Sequence, residues 1–355
     1  MWKFLLMTLT VVALSDSARA RFDCQVPKRL LTRPTSVHQL RPEDVDVVGA
    51  IGDSFTAGNG ASAWTILGCL TEYRGRSWSI GGDESFVSGV TTLPNILREF
   101  NPNMKGFSTG SGDADSSGAH LNRAVAGAIS VDMAKQAKDL VQRMKDSKEI
   151  NFEKDWKVVT MLIGGNDLCD FCNDKEKYLP ENYRENIKTA LDILHNELPR
   201  TFVNVVTVMD MVQITQLGNG IICGSVHSAV CSCASPGASD AELKELQEFN
   251  NKYQDETNQL VNSGRYDTRD DFTVVVQPFM QEFQPPKESN GEPDMSYFAP
   301  DCFHFSEKGQ NSAGKELWNT MLEPVGNKQT SWQMYEPVKC PTKERPYLAT
   351  SKNSE

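Results

Sequence analysis

Four short blocks of this 355-residue chain carry residue types that could do covalent chemistry together. Gly52-Asp53-Ser54 follows the apolar run VDVVGAI and so puts a hydroxyl where a strand ends. Asn122-Arg123-Ala124-Val125-Ala126-Gly127 closes on a glycine, whose N–H can approach a substrate because no side chain intrudes. Gly164-Gly165-Asn166-Asp167 follows a second apolar run and offers a neutral amide donor at the same sheet edge. Asp301-Cys302-Phe303-His304 separates a carboxylate and an imidazole by three positions, so both fit on one side of a tight turn. A hydroxyl, an imidazole oriented by an acid, and N–H donors for an oxyanion are the equipment of acyl transfer through a serine ester. Each block alone has an ordinary alternative: a helix cap, a packing glycine, a turn amide, a surface histidine. All four in order, at strand ends and helix starts, point to the chemistry.

Two other glycine patterns compete. Gly58-Asn59-Gly60-Ala61-Ser62-Ala63 matches a loose dinucleotide loop, but its first glycine lies seven residues past Ile51 and no ribose-binding acid follows at the required distance. Gly106-Phe107-Ser108-Thr109-Gly110 matches the hydrolase elbow GxSxG, which needs a strand before the serine and a helix after it. Asn101-Pro102-Asn103 precedes this copy and GSGDADSSG follows it, so neither element is expected.

The elements that must hold the four blocks are legible as alternating patterns. DVDVVGAI (44–51), WKVVTMLI (156–163), FVNVVTVM (202–209) and FTVVVQPF (272–279) are nearly continuous apolar runs, as in strands covered on both faces. Helical spacing fills the gaps. Residues 130–147 open on Ser130 as a cap and align Val131, Ala134, Ala137, Val141 and Met144. Residues 181–198 stop before Pro199, 239–261 open on Ser239 or Asp240, and 306–322 form the last helix. The alternation predicts an α/β fold with a mostly parallel sheet, and right-handed crossovers are expected to put helices on both faces. Residues 106–120, 217–237 and 284–301 read as loops, the second as a disulfide-held excursion near the active face.

Residues 1–20 read as an export signal: Lys3, an apolar stretch from Phe4 to Leu14, then Ala18-Arg19-Ala20 as a small-x-small cleavage site. That stretch is shorter than the roughly 18 residues needed to cross a bilayer, and no other segment is apolar enough, so no transmembrane anchor is expected. The whole chain carries −11; losing Lys3, Arg19 and Asp16 leaves −12. With no Lys/Arg run, this disfavours nucleic acid and anionic lipid as partners. Nine cysteines in an exported chain imply disulfides with one thiol left over, and their connectivity stays open. Cys169/Cys172 and Cys231/Cys233 are irregularly spaced for zinc and read better as oxidised staples. No Asn-x-Ser/Thr site occurs.

The blocks GDS, N-x-A-x-x-G, GGND and DCFH resemble the four hallmark segments of the GDSL, or SGNH, hydrolase family, and they span residues 52–304. The wider wording GDSFTAGNGA, IGGNDLC and CFHFSEKG is similar to the phospholipase B branch. The resemblance implies a three-layer α/β/α sandwich. It implies Ser54 as nucleophile, His304 as general base, Asp301 as its orienting acid, and the Ser54 and Gly127 N–H groups with the Asn166 side chain as oxyanion donors. Asp53 is expected to fix the turn. No metal or organic cofactor is implied. The domain reading is a signal at 1–20, an extension at 21–40, a hydrolase domain at 41–330 and a tail at 331–355 whose Cys340 either staples back or hangs loose. The branch resemblance implies a phospholipid or lysophospholipid substrate, met at a lipid interface. Alternatives are a carbohydrate or general carboxyl esterase, or a catalytically silent lipid binder. Phe55, Trp64, Ile66 and Leu67 are candidates to line an acyl channel, or else core.

Overall fold

The computed structural model describes residues 21–27, 32–218, 220–333 and 336–354; the expected export signal lies outside the described residues. Each of the four apolar runs becomes a strand: Val45–Gly52 (β1), Trp156–Leu162 (β2), Thr201–Val206 (β3) and Phe272–Gln277 (β4). Almost every residue in them is buried, the condition that continuous rather than alternating hydrophobicity satisfies. The strands pair in the order β1-β2-β3-β4, all parallel.

The helices are Ser54–Ala57 (α1), Leu93–Phe100 (α2), Met133–Asp146 (α3), Gly165–Asp170 (α4), Pro180–Glu197 (α5), Ile221–Val230 (α6), Asp240–Val261 (α7) and Glu307–Leu322 (α8). Ser239 caps α7 through a reciprocal capping box with Glu242, and the Ser306 hydroxyl caps α8. Before α3 the expectation fails. Residues 130–132 form a 3₁₀ turn, and the Ser130 hydroxyl is drawn into a buried carboxylate instead of capping. The buried face of α3 is Met133, Gln136, Ala137, Leu140, Val141 and Met144, while Val131 is exposed and Ala134 only half-buried. The 3₁₀ turn offsets the periodicity, so Val131 leaves the face it would occupy on a continuous helix.

The strand order also refines the layer expectation. Among these four strands the order never reverses, so successive right-handed crossovers fall on one face. Accordingly α3, α5 and α7 pack side by side over it, with a Cβ at Gly49 only 3.0 Å from the Met144 methyl. The opposite face carries α2 and α8, and there Asn204 of β3 lies 3.5 Å from Met321 Sδ. The result is three layers. The order does reverse once, beyond β1: Val48 N–H donates to Lys105 O, Arg123 N–H to Ala50 O and Val125 N–H to Gly52 O, making an irregular parallel edge. A crevice at the carboxyl ends of strands where the order reverses is where open α/β sheets take their ligands.

Four disulfides tie the periphery down: Cys24–Cys340, Cys169–Cys231, Cys172–Cys233 and Cys223–Cys302, with Cys69 free and buried. The close-spaced cysteines therefore pair with each other across 61 and 62 residues rather than gathering a metal. Cys223 lies in α6, and Cys231 and Cys233 follow directly after it, so three disulfides hold α6, in a segment read from sequence as a loop. Its Gly220 cap has no side-chain bond, and its β-branched and glycine residues are poor helix formers. Near the C-terminus, Trp318 Nε1–H donates to Lys339 O, Asn319 Nδ2 to Pro337 O and Ala349 N–H to Met321 O. Cys340 thus staples back. Removing that staple in a Cys24→Ser/Cys340→Ser protein is expected to cost about 2–4 kcal/mol of unfolding free energy, read by urea unfolding without reductant. An unchanged midpoint would mean that the contacts on α8 hold the tail alone.

Candidate active site

β1 delivers its last residue, Gly52, into a fork. Gln136 of α3 accepts from Gly52 N–H at 2.8 Å and donates to its carbonyl at 2.9 Å. A side chain at Gly52 is excluded, because a Cβ would lie 2.5 Å from Leu162 O and 2.8 Å from Thr56 Oγ1. Asp53 then caps α1, its Oδ1 accepting from Phe55 N–H at 3.0 Å. Ser54 is the first residue of α1, so its N–H is one of the donors without a partner inside its own helix.

The acid and base come from the other end of the chain. Asp301 Oδ1 accepts from the N–H groups of Phe303 and His304, both at 3.0 Å, closing a turn around Cys302. Cys302 takes a left-handed φ of +59°, unusual for a residue with a side chain. It is pinned by its bond to Cys223 and by His227 of α6, whose Nε2 lies 2.8 Å from the Cys302 carbonyl. Asp301 Oδ2 sits 2.6 Å from His304 Nδ1, and His304 Nε2 sits 2.8 Å from Ser54 Oγ. With Nδ1–H donated to Asp301, Nε2 is left as the acceptor for the serine proton. Burial pushes the Asp301 carboxyl up, but the imidazole and the two backbone donors outweigh it and the net shift is down.

Two further blocks meet on the opposite side of Ser54's strand end. Asn166 and Asp167, in the first turn of α4, clamp the turn that follows Gly127. Asn166 Nδ2 donates to Ala128 O at 2.8 Å, leaving its second hydrogen for another acceptor. Asp167 accepts from Ser130 N–H at 2.9 Å and from Ser130 Oγ at 2.5 Å. Gly127 needs its hydrogen for a φ of +76°, and its backbone is exposed. Beneath it, fully buried Arg74 donates to the carbonyls of Asn122 and Ala124 while paired with Glu72. A cleft of about 420 Å³ opens beside Gly127, lined in part by Val125, Ala126, Lys135 and Gln136.

The competing patterns have structural uses. Ser108 is fully buried and donates to Arg74 O at 2.7 Å, out of reach of any substrate. Gly58 ends α1, where a Cβ would meet Tyr73 O at 2.7 Å, so it admits the chain's own backbone rather than a pyrophosphate. Among the described residues no cluster of three His, Cys, Asp or Glu could hold a metal. The apolar channel expectation is corrected. Phe55 packs in the core against Phe303 and Phe305, whereas Trp64 and Leu67 stand almost wholly in solvent and Ile66 is partly exposed. Sequence reasoning missed Gln136, Arg74 and the clamping role of Asp167, and it read Ser130 as a cap instead of as the partner of Asp167. Only Asp167 lay within a recognised block, and the others are polar residues whose signal is burial itself.

Two acids beside the site are held in an unfavourable medium. Burial raises Asp53 to about 7 and Asp167 to about 6, each only partly relieved by its N–H donors. For Asp53 the folded protein keeps a proton that the unfolded chain, at an ordinary 3.8, has released. Its stabilising effect is therefore present in acid and lost as pH rises through about 7. Asp53→Asn keeps an oxygen for Phe55 N–H without the buried charge. Between pH 5 and pH 8 it is expected to gain on the parent by roughly a few kcal/mol in urea unfolding; a constant difference across that range would contradict the shift.

The family model described as GDSL-like Lipase/Acylhydrolase matches residues 48–317. The chain is 53% identical over 331 residues, 91% of its length, to "Phospholipase B1, membrane-associated" of Homo sapiens. It is 50% identical over 343 residues, 94% of its length, to the protein of the same name in Mus musculus. It spans 23% of the length of each. Among solved structures it is similar to an extracellular lipase of Streptomyces rimosus, with 15% identity, a TM-score of 0.39, and coverage of 78% of this chain and 98% of that one. By the extent of the family match and the identity to these relatives, the chain belongs to the GDSL-like lipase/acylhydrolase family.

Proposed function

We propose that this chain is an exported serine esterase that hydrolyses fatty acyl esters of phospholipids and lysophospholipids through an acyl-enzyme on Ser54. The observation that carries the reading is the unbroken hydrogen-bonded chain from Asp301 through His304 to Ser54 Oγ at the carboxyl end of β1. In the first half-reaction Ser54 Oγ attacks the ester carbonyl as its proton passes to His304 Nε2. Asp301 stays ionised and stabilises the imidazolium. The tetrahedral oxyanion is met by the N–H groups of Ser54 and Gly127 and by the free hydrogen of Asn166 Nδ2. Collapse expels the alcohol, protonated by His304. Water, deprotonated by the same nitrogen, then attacks the acyl-enzyme, and the fatty acid leaves as Ser54 regains its proton.

The lipid assignment is supported by relatives named phospholipase B1 and by the wording around three of the four blocks, GDSFTAGNGA, IGGNDLC and CFHFSEKG. Export is supported by four disulfides and by the leader pattern at the N-terminus. No helix among the described residues is long and apolar enough to cross a membrane.

The decisive experiment is mass spectrometry of the products from defined phosphatidylcholine and lysophosphatidylcholine. Free fatty acid should appear with the parent protein and fall by at least about 10⁴-fold with Ser54→Ala. Asn166→Ala should lose about 10²–10³ in turnover, and Asp301→Asn about 10⁴. A fluorophosphonate should label Ser54. Label on Ser108, or fatty-acid release that survives Ser54→Ala, would overturn the mechanism; cleavage of acetylated sugars but of neither lipid would overturn the substrate.

A further inference from the structure

The five most solvent-exposed large apolar side chains among the described residues come from only two segments. Trp64 (95% exposed), Leu67 (80%) and Leu70 (78%) lie in the excursion that follows α1, and Ile221 (90%) and Ile222 (61%) open α6. Scattered apolar residues on a surface need no explanation, but clustered ones mark interaction sites.

Both segments are fastened to the turn that carries Asp301 and His304. The excursion is closed at its base by Gly60 N–H to Thr71 O and Tyr73 N–H to Gly58 O, both at 3.0 Å. A Cβ at Gly60 would touch the Ala299 methyl at 3.0 Å, two residues before Asp301. The tip is therefore displayed on a fixed stem, with buried Cys69 turned inward. On the other side, Cys223, next to Ile222, is bonded to Cys302. The two apolar groups are thus each tied to one turn, the one that carries Asp301 and His304.

Their charge is equally selective. In a chain where 23% of residues are charged, no Asp, Glu, Lys or Arg occurs in the 18 residues between Asp53 and Glu72. None occurs in the 29 residues between Asp210 and Asp240, where the single histidine, His227, is buried. An anionic membrane would be repelled by a protein of net charge −11, and the two segments offer a charged protein partner no charge of their own. The carboxylate that touches the excursion, Glu307 at Ser62, is already paired with Arg76. A face bearing tryptophan and aliphatic side chains without charge fits the headgroup–acyl boundary of a neutral lipid layer.

We propose that Trp64, Leu67, Leu70, Ile221 and Ile222 form a docking face that inserts into zwitterionic phospholipid surfaces and seats the Ser54 site on the lipid. The claim about insertion stands by itself; the claim that it feeds catalysis rests on the esterase reading above.

The test uses the full chain carrying Ser54→Ala, so that vesicles stay intact, with and without Trp64→Ser, Leu67→Ser and Ile221→Ser. Flotation with phosphatidylcholine vesicles should carry the single variant upward, with the Trp64 emission shifted to the blue. Binding should survive added salt, and the three further substitutions should weaken it by about tenfold or more. No flotation of the Ser54→Ala protein would overturn the proposal, as would equal flotation of both proteins or binding confined to anionic vesicles. A dimer in size-exclusion chromatography that the three substitutions dissociate would also overturn it, by showing that a second copy covers the face. With Ser54 intact, the triple variant should hydrolyse a water-soluble acetate ester within about twofold of the parent and melt at the same temperature, which separates lost docking from lost folding. Flotation without Ser54-dependent turnover of the soluble ester would sink the esterase reading and leave the docking face standing; turnover without flotation would do the reverse.

Discussion

His304 lies 250 residues from Ser54 along the chain and 2.8 Å from it in space, and that contact sets the conditions for everything around it. A hydrogen bond of that length tolerates little drift, yet its two ends sit on unrelated segments. One end is rigid because Gln136 and the crowded backbone at Gly52 leave the strand end no alternative path. The other is rigid because Asp301 spends one oxygen on its own turn and the second on the imidazole. The left-handed backbone at Cys302 would relax if it were free; the Cys223 bond and His227 keep it in place. Packing of Phe55 against Phe303 and Phe305 joins the two ends beneath the reacting atoms.

The same region buries two carboxylates that do no proposed chemistry. Asp53 and Asp167 raise the cost of folding at neutral pH, as their upward shifts record. What they return is position. Asp53 starts α1 on the residue after itself, which aims the Ser54 N–H, and Asp167 grips Ser130 so that the exposed Gly127 turn has one conformation. An oxyanion site works by having its donors aligned before charge develops. Acids that are costly to bury but bound to a backbone N–H of an adjacent turn are a way to hold backbone donors still.

Topology explains why these parts meet. Between β1 and its irregular edge the strand order reverses, which opens a crevice at the carboxyl ends of the two. Ser54 leaves one and Gly127 the other. β2 contributes Asn166 to the same rim, and α8 begins just after His304. The disulfide-bound α6 and the excursion after α1 are both joined to the turn that carries Asp301 and His304, so what fixes that turn also decides which exposed apolar side chains are displayed with it.

The sequence by itself determined the four strands, the start of α7 at Ser239, and the four blocks whose residues converge, because each is written in a run of neighbours: continuous hydrophobicity, a capping hydroxyl, a carboxylate three positions from an imidazole. It did not contain the pairing of eight cysteines or the choice of Cys69 as the free one, since many connectivities fit one string and only the fold brings partners together. It misread 217–237 as a loop, because α6 is a weak helix that three disulfides sustain. It put Ser130 at a cap and Val131 on a buried face, because a local pattern cannot know that a carboxylate 37 residues away will claim the hydroxyl. Whether Trp64 and Leu67 lined a channel or faced water was likewise a matter of tertiary structure: hydrophobicity says what a side chain prefers to leave, while burial depends on whether the rest of the chain supplies somewhere to go.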